Sequence, residues 1–435
     1  MRKYIPKVLF ILTLCLIFIG FSSYKYRVNS LETATSVQNA PLTEHSPSGN
    51  QTGSDANSET NTAPADNTQS ANSGSSTSST TVVTSQQTGG YASSAVTTSS
   101  KQSNDAAAAS QAGVPLPAIT SITISAAGDC TFGSDQSSPA SVNFYSVYNK
   151  KKDNAYFFRK VKKYFKTDDL TLVNLEGTLT TSSTRVDKTF AFRGNPSYVN
   201  ILKKGAVEAV AFANNHCADY GTQSYHDTIN TVRNAGIKLS SYEKVSIYKT
   251  KDRRIGMVSV NGLLGLEYSK NLIDSGIKKL KKRNADLIIV SMHAGIEHTA
   301  VLNDVQKQLG HYAVDKGADL VLGHHPHVLQ GIEQYKGVYI VYSLGNFCFG
   351  GNTNPSDKDT MIFQQTFYFQ NNKLQKTKDV RIIPCRLSST TAINNYQPTP
   401  LKGTEKKRVI ARINKYSKPY KVAFDQTGKL LKKRK

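Results

Sequence analysis

Hydrophobic residues after position 118 fall into short continuous runs that alternate with stretches of helical spacing. The first run, ITSITISAAGD at 119–129, ends in a polar turn, and comparable runs follow at 170–177, 208–216, 254–262, 285–293 and 318–325. Such runs are typical of strands that are covered on both faces of a sheet. Helical spacing occurs at 155–165, 222–234, 271–283 and 302–316, and two later runs at 338–350 and 361–370 indicate antiparallel strands. The pattern predicts an α/β domain over 118–390, with a sheet long enough to split into two packed layers.

The first thirty residues have the pattern of a membrane-targeting signal. Arg2, Lys3 and Lys7 precede an unbroken apolar run from Val8 to Phe21. This run is intermediate in length between a signal-peptide core and a full transmembrane helix, and no small-residue cleavage motif follows it. The sequence therefore predicts a transmembrane signal-anchor over 1–30, with the N-terminus in the cytoplasm and the remainder outside the cell. A cleaved signal peptide is the alternative.

Residues 31–117 are rich in Ser, Thr, Asn, Gln, Ala and Gly, and Tyr91 is the one aromatic residue among them. A segment of this composition cannot bury enough apolar surface to offset the entropy lost on ordering. We therefore expect a disordered linker that carries the following domain away from the membrane. A low-complexity linker with no such reach function is the alternative.

The chain is strongly basic, with 54 Lys and Arg against 31 Asp and Glu and a formal net charge of +23. A basic C-terminal tail at 391–435 contributes much of it, since Leu401 to Lys435 contain thirteen basic and two acidic residues. Outside a cell the available anionic partners are lipid headgroups, teichoic-type phosphate polymers and polyglutamate, whereas export argues against nucleic acid. A solvated tail without a partner is the alternative. Five cysteines without a CxxC pair exclude a disulfide-rich module and a zinc ribbon.

Side chains that can bind metal follow five of the predicted strands. They are Asp129, Glu176 with Asn174, Asn215 with His216, His293, and His325 with His327. In open α/β sheets, ligands bind beyond the carboxyl ends of the strands, so these residues should converge on one cleft. Carboxylates, an amide and imidazoles together suit Mn²⁺, Fe or Zn²⁺, and a bridging carboxylate would hold two such ions. The sequence therefore predicts a metal site with divalent ions, two in number if the carboxylate bridges.

The motifs around these residues resemble a known family. They are GDCTFG (128–133), NLEG (174–177), ANNHCADYG (213–221), HAGIE (293–297), GHHPHVLQGIEQYKG (323–337) and YSLGNF (342–347). In this order they are similar to the signatures of the CapA family, the capsule-synthesis and poly-γ-glutamate-biosynthesis branch of the calcineurin-like metallophosphoesterase superfamily. The resemblance implies a four-layer α/β/β/α sandwich with a two-metal cleft.

The resemblance also implies a role for each candidate residue. Asp129 would bind the first metal, Glu176 would bridge, Asn215 and His293 would bind the second metal, and His325 and His327 would serve one metal each. His216 matches the catalytic histidine of the superfamily. Glu297 and Asp219 look like groups that orient ligands, although Asp219 fits a helix cap equally well. His324 is left out, because side chains alternate along a strand and its own should point to the other side.

This chain departs from the family pattern at three positions. Thr131 stands where a typical phosphoesterase has a histidine ligand of the first metal, so we expect that position to bind more weakly and to prefer harder ions such as Mn²⁺ or Mg²⁺. Ala294 and His298 stand where the family usually has Trp and Tyr, and the chain contains no Trp. These changes alter the wall of the cleft and leave its substrate open.

Three functions remain open from the sequence. The resemblance implies a membrane-anchored, extracellular protein that acts in the synthesis, release or attachment of an anionic capsule polymer such as poly-γ-glutamate, as a metal-dependent hydrolase or transferase. Capsule-synthase membrane subunits are a further candidate partner. The alternatives are a generic metal-dependent phosphoesterase of the cell envelope and a non-catalytic scaffold that binds polymer through its basic surface.

Overall fold

A computed structural model describes residues 119–431. The predicted signal-anchor at 1–30 and the predicted linker at 31–117 lie outside the described residues, as do residues 432–435 of the basic tail. Within 119–431, no helix is both long enough and apolar enough to cross a membrane.

Sixteen strands occur within the described residues. They are β1 (Ile119–Thr131), β2 (Leu170–Leu175), β3 (Thr178–Leu179), β4 (Arg193–Gly194), β5 (Ala209–Ala211), β6 (Lys238–Ser240), β7 (Ser246–Thr250), β8 (Arg253–Asn261), β9 (Leu287–His293), β10 (Leu320–His324), β11 (Ile332–Tyr335), β12 (Val338–Val341), β13 (Asn346–Phe349), β14 (Asp359–Gln370), β15 (Lys373–Arg386) and β16 (Thr399–Pro400). The long strands β1, β8, β9 and β14 coincide with predicted apolar runs.

Seven α-helices accompany these strands in the same part of the chain. They are α1 (Phe144–Lys151), α2 (Lys162–Phe165), α3 (Val199–Gly205), α4 (Gly221–Asn234), α5 (Leu266–Lys282), α6 (Asp304–Lys316) and α7 (Gly403–Ser417). Helix α6 shows why the boundaries fall where they do. Asn303 and Gln306 form a reciprocal capping box at its start, and Gly317 ends it in a left-handed conformation with φ of 107°.

Two large mixed sheets form the fold. The first has the strand order β16-β15-β14-β1-β2-β5-β6, with β13 also pairing with β1, and the second has the order β11-β12-β10-β9-β8-β7. Strands β1, β2, β5 and β6 are parallel in the first sheet, and β8, β9, β10 and β12 are parallel in the second. A two-stranded sheet joins β3 to β4. The prediction of a mixed α/β fold with more than one sheet layer is confirmed.

Three apolar clusters show how the layers pack. One cluster contains buried residues from both large sheets, such as Ile124 of β1 and Ile289 of β9, and therefore forms the core between them. A second cluster joins the other face of the first sheet to α1, α3 and α4. The third joins the other face of the second sheet to α5 and α6. Burial on both faces explains why the central strands are continuously apolar.

Residues 391–431 continue this folded unit instead of leaving it as a separate tail. In α7, Val409, Ile410 and Ile413 are buried and belong to the core between the sheets. The helix is also tied to the first sheet, since Arg412 pairs with Asp359 of β14 at 2.8 Å. The folded domain therefore extends past residue 390, where the sequence pattern had predicted its end. Burial of the apolar face of this helix stabilises it against the core despite the high density of charge along it.

Candidate metal centre

Asp129 lies near the end of β1 and is fully buried. Its Oδ1 accepts a hydrogen bond from Asn174 Nδ2 at 2.8 Å. Its Oδ2 lies 3.3 Å from Nδ1 of His327 and accepts the backbone N–H of His325 at 3.3 Å. The carboxylate of Asp129 therefore contacts Asn174 of β2 in the first sheet and the turn after β10 of the second sheet.

A close backbone approach places Asp129 in this position. The Asp129 N–H donates to the carbonyl of Gly345 at 3.0 Å. A Cβ on Gly128 would lie 1.7 Å from the oxygen of Gly345, a distance that no side chain can tolerate. Glycine at 128 is therefore required for β13 to lie against the end of β1.

Glu176 directly follows β2, and its N–H donates to the carbonyl of Cys130 at 2.8 Å. The side chain is fully buried, and its Oε1 makes no hydrogen bond within the described residues. Three imidazole nitrogens surround this oxygen, with Nε2 of His327 at 3.7 Å, of His293 at 3.8 Å and of His216 at 4.0 Å. Two atoms that bind one ion at about 2.1 Å lie at most about 4.2 Å apart, so these separations fit a shared cation.

His293 is the last residue of β9, and two amide side chains contact its ring. Nε2 lies 2.8 Å from Oδ1 of Asn215, and Nδ1 lies 3.4 Å from Nδ2 of Asn174. The ring centroid is 4.8 Å from that of His325. The second sheet therefore delivers His293 and His325 to the same place to which the first sheet delivers Asn215.

His325 and His327 flank Pro326 in the turn after β10, and both have a positive φ, 98° and 58°. Such conformations are strained for residues other than glycine and cluster at functional sites. The side chain of His327 also contacts Oδ1 of Asn346 through Nδ1 at 2.8 Å. This turn directs both rings toward the carboxylates of the first sheet.

Among residues 119–431, two groups of three side chains have ligand atoms within 4.8 Å of one another. One is Asp129, Glu176 and His327, all buried, and the other is Glu297, His325 and His327, of which Glu297 is exposed. Glu176 Oε1 and His325 Nδ1 are buried and have no hydrogen-bond partner among residues 119–431. Buried polar atoms rarely lack partners, so these two orphaned atoms fit a metal ion as the missing partner.

His216 is held so that one ring nitrogen faces the cluster. Its Nδ1 lies 2.7 Å from Oδ2 of Asp219, and its ring stacks on Phe192 with 4.3 Å between centroids. A carboxylate only accepts hydrogen bonds, so Nδ1 carries the hydrogen, and the neutral ring then leaves Nε2 free to accept one. Burial lowers the pKa of His216, partly opposed by Asp219. His216 can therefore exchange a proton at Nε2, beside Glu176.

Comparison with known proteins now identifies the family. The sequence model described as "Bacterial capsule synthesis protein PGA_cap" matches residues 123–351, more than half of the chain. The chain belongs to this family. The resemblance to the CapA family is thereby confirmed.

Two named relatives of the PGA_cap chain come from Bacillus. It is 32% identical over 213 residues to the PGA biosynthesis protein CapA of Bacillus subtilis strain 168, covering 44% of this chain and 56% of that protein. It is 29% identical over 235 residues to the capsule biosynthesis protein CapA of Bacillus anthracis, covering 48% and 57%. The chain spans about half the length of these curated relatives. A solved structure of a hypothetical protein from Thermus thermophilus aligns over 60% of this chain and 99% of that one, with 13% identity and a TM-score of 0.36.

The two buried carboxylates of the site, Asp129 and Glu176, differ in how their surroundings shift the pKa. Burial disfavours the charged form of Asp129, but hydrogen bonds from His324 and His327 outweigh it and hold its pKa well below the usual value. Burial raises the pKa of Glu176 well above the usual value, although His327 opposes the shift. The pKa values of the two carboxylates are therefore shifted in opposite directions.

The pKa values of the three imidazoles also shift in different directions. Burial lowers the pKa of His293 well below its usual value and that of His325 to about 4. Burial also disfavours the charged form of His327, but Glu176 and Asp129 outweigh it and raise its pKa to about 10. The centre thus stabilises one positive charge between two carboxylates, and a metal ion there would have to displace the proton of His327.

Some residues of the site were missed by sequence reasoning. Nδ1 of His324 lies 3.3 Å from Oδ1 of Asp129, although strand alternation predicted that this ring points away. Lys188 donates to Asp219 at 2.9 Å, and Asn346 contacts His327. Asn346 stands in the YSLGNF motif, which offered a signal, whereas Lys188 is a lone basic residue in a loop and offered none.

Thr131 is the last residue of β1. It is buried with 1% exposure, and its Oγ1 has no hydrogen-bond partner within 119–431.

Proposed function

We propose that this protein acts in the synthesis, release or attachment of an anionic bacterial capsule polymer such as poly-γ-glutamate, through a phosphoesterase-like metal centre. Membership of the PGA_cap family and the printed names of the Bacillus relatives support the polymer class. The two stacked sheets support the finer proposal of a four-layer metallophosphoesterase sandwich.

The observation that carries the proposal is the orphaned Oε1 of Glu176 inside a shell of imidazoles. Divalent ions, Mn²⁺, Fe, Zn²⁺ or Mg²⁺, would be held by Asp129, Glu176, Asn215, His293, His325 and His327. When bound, such ions supply Lewis-acid polarisation of a phosphoryl or acyl oxygen. This donor set mixes oxygen and nitrogen ligands, which suits that range of metals.

The proposed role of His216 is to accept a proton at Nε2 from the attacking water and to pass it to the leaving group. Asp219 and Phe192 hold the ring, and Nε2 is the atom directed at Glu176. Lys188 neutralises Asp219 at the same time, since its Nζ donates to Oδ1 at 2.9 Å. Positioned proton transfer of this kind contributes about 10²–10⁴-fold to a rate.

The proposed partner is the anionic polymer, and the basic surface near the C-terminus supports it. Lys402, Lys407, Lys415, Lys418, Lys421 and Lys429 are exposed there. Lys407 and Lys415 stand on α7, whose buried face is formed by Val409, Ile410 and Ile413, and the other four lie in the segments that flank the helix. The placement outside the membrane, the anchor at 1–30 and an association with capsule-synthase membrane subunits are parts of the proposal that rest on the sequence alone.

The test uses the full-length protein in detergent. We expect bound divalent metal by elemental analysis and processing of polyglutamate oligomers that falls at least ~100-fold in His216→Ala. His226→Ala, an exposed histidine on α4, is the matched control and should retain activity. Equal or faster turnover of a simple phosphodiester would favour the generic phosphoesterase instead. Polymer binding without turnover by the metal-loaded protein would favour the scaffold.

A further inference from the structure

We infer that Glu297 is a direct ligand on the solvent-facing side of the metal centre, instead of a group that orients other ligands. This inference rests on the proposed metal centre and names a further residue of it. Glu297 lies in the loop between β9 and α6, four residues after His293.

Backbone contacts fix this loop against the turn that carries two of the histidines. The N–H of Ala294 donates to the carbonyl of His324 at 3.0 Å, and the N–H of His298 donates to the carbonyl of Pro326 at 2.9 Å. These two hydrogen bonds lie on either side of Glu297 in the sequence. Its backbone is therefore held next to the histidine turn.

Gly295 allows the same loop to approach closely. Its φ is 127°, and a Cβ there would lie 2.9 Å from Cγ of Pro326 and 2.8 Å from Cδ of Gln306. A side chain would push the loop away from the turn, so glycine is needed both for the conformation and for the contact. The loop therefore has a defined position in which Glu297 faces the site.

The donor atoms of Glu297, His325 and His327 lie within 4.8 Å of one another. His325 is 6% exposed, and its Nδ1 has no hydrogen-bond partner within 119–431. An orienting carboxylate would accept a hydrogen bond from a ring N–H, but the Glu297 carboxylate accepts none in this part of the chain. Its ion-pair contact is with His298, at 3.8 Å. An orphaned ring nitrogen beside an uncommitted carboxylate matches two ligands of one ion.

Solvent exposure distinguishes the position formed by Glu297, His325 and His327 from the buried position formed by Asp129, Glu176 and His327. The Glu297 side chain is 47% exposed, whereas Asp129 and Glu176 are fully buried. Glu297, His325 and His327 therefore form the side of the centre that solvent and an anionic substrate reach first. A site with open coordination positions is what metal-dependent catalysis requires.

The experiment is a Mn²⁺ titration of the full-length protein in detergent, followed by calorimetry and by electron paramagnetic resonance of the bound ion. Glu297→Gln keeps the size of the side chain and removes its charge. We expect it to weaken one Mn²⁺ position by about 10-fold or more and to leave the other unchanged. Glu267→Gln is the matched control, because Glu267 is exposed on α5 and pairs with Lys270.

The possible results separate the inference from the function on which it rests. If the unaltered protein binds no Mn²⁺, the metal centre itself is overturned. If the unaltered protein binds Mn²⁺ and Glu297→Gln binds it with the same stoichiometry and affinity, the role of Glu297 is overturned while the centre stands. Anomalous diffraction from Mn²⁺-soaked crystals provides a second readout, with a peak expected at about 2.0–2.3 Å from a Glu297 oxygen.

Discussion

Asp219 binds both the ring of His216, at 2.7 Å, and the ammonium group of Lys188, at 2.9 Å. The aspartate therefore fixes the tautomer of the histidine while the partly buried ammonium group of Lys188 balances its charge. This arrangement makes Asp219 a positioning residue for proton transfer at Nε2 of His216.

Asp219→Asn should lower polymer-processing activity about 10- to 100-fold. The amide can donate as well as accept, so the ring of His216 is no longer held in one tautomer, and Lys188 loses its charge partner. The number of bound Mn²⁺ ions should stay the same, because the Asp219 carboxylate bonds to His216, Lys188 and the N–H of Phe192, which are not candidate ligands. Asp304→Asn, at an 88% exposed side chain, is the control. Unchanged turnover in Asp219→Asn would contradict this role.

Gly128→Ala should unfold or strongly destabilise the protein, by about 3 kcal/mol or more. The new methyl group would displace Gly345 and thereby separate β13 from β1. Thermal unfolding of the full-length protein measures the effect.

Gly337→Ala is the matched control for this change. Gly337 has a φ of 82° but no atom within 4 Å of a Cβ built on it, so it reports backbone strain without a clash. We expect a cost of about 1–2 kcal/mol there. Equal losses in the two variants would show that the contact between Gly128 and Gly345 is not the cause.

His327→Ala should abolish Mn²⁺ binding at both positions, because His327 belongs to both groups of ligand atoms. His293→Ala should weaken only one position, since its Nε2 contacts Glu176 and Asn215 but is not part of either group. Calorimetric titration measures both. His311→Ala, whose ring instead contacts Glu333 at 3.0 Å, should behave like the unaltered protein. Retention of two tight ions in His327→Ala would refute the shared role.

The contribution of Asp168 to the stability of the fold should fall as the pH rises from about 4 to about 7. Burial raises its pKa to about 7, although hydrogen bonds from Ser125 and Thr171 favour the charged form. The folded state therefore binds this proton more tightly than the unfolded state, and the resulting stabilisation is lost as the pH passes through the folded pKa.

Asp168→Asn removes this ionisation and should stabilise the protein more at pH 8 than at pH 5. After allowance for solvent screening, we expect a gain of about 1–3 kcal/mol at pH 8. Urea unfolding at the two pH values measures it. Asp304→Asn should have the same small effect at both, and a gain from Asp168→Asn that does not change with pH would rule out the explanation.

Continuous apolar runs predicted the central strands and several helices well, because both faces of the sheets are covered. The helix predicted at 302–316 is found at Asp304–Lys316. The run at 208–216 was less informative, since only Ala209–Ala211 forms a strand. An apolar run shows that a segment is buried, but it does not show whether the segment pairs in a sheet.

The convergence of the candidate ligands was predictable for a different reason. Asp129, Glu176 and His293 all stand at carboxyl ends of parallel strands, and this geometry brings them together whatever the loops do. The side of the chain to which His324 points was not predictable. Alternation holds only within a regular strand, and β10 ends at His324, immediately before His325 adopts a positive φ.

The strands and helix that follow residue 351 have a consequence for how this fold can be cut and recombined. The segment that matches the family ends there, yet Phe363 and Phe367 of β14 and Ile413 of α7 complete the core between the sheets. A fragment limited to 123–351 would keep every candidate metal ligand, but it would leave the edge of β1 that pairs with β14 without a partner strand and would remove part of the core. The segment needed for folding is therefore longer than the segment that matches the family. A chimera joined at residue 351 would contain the ligands without the strands and helix that hold them in place.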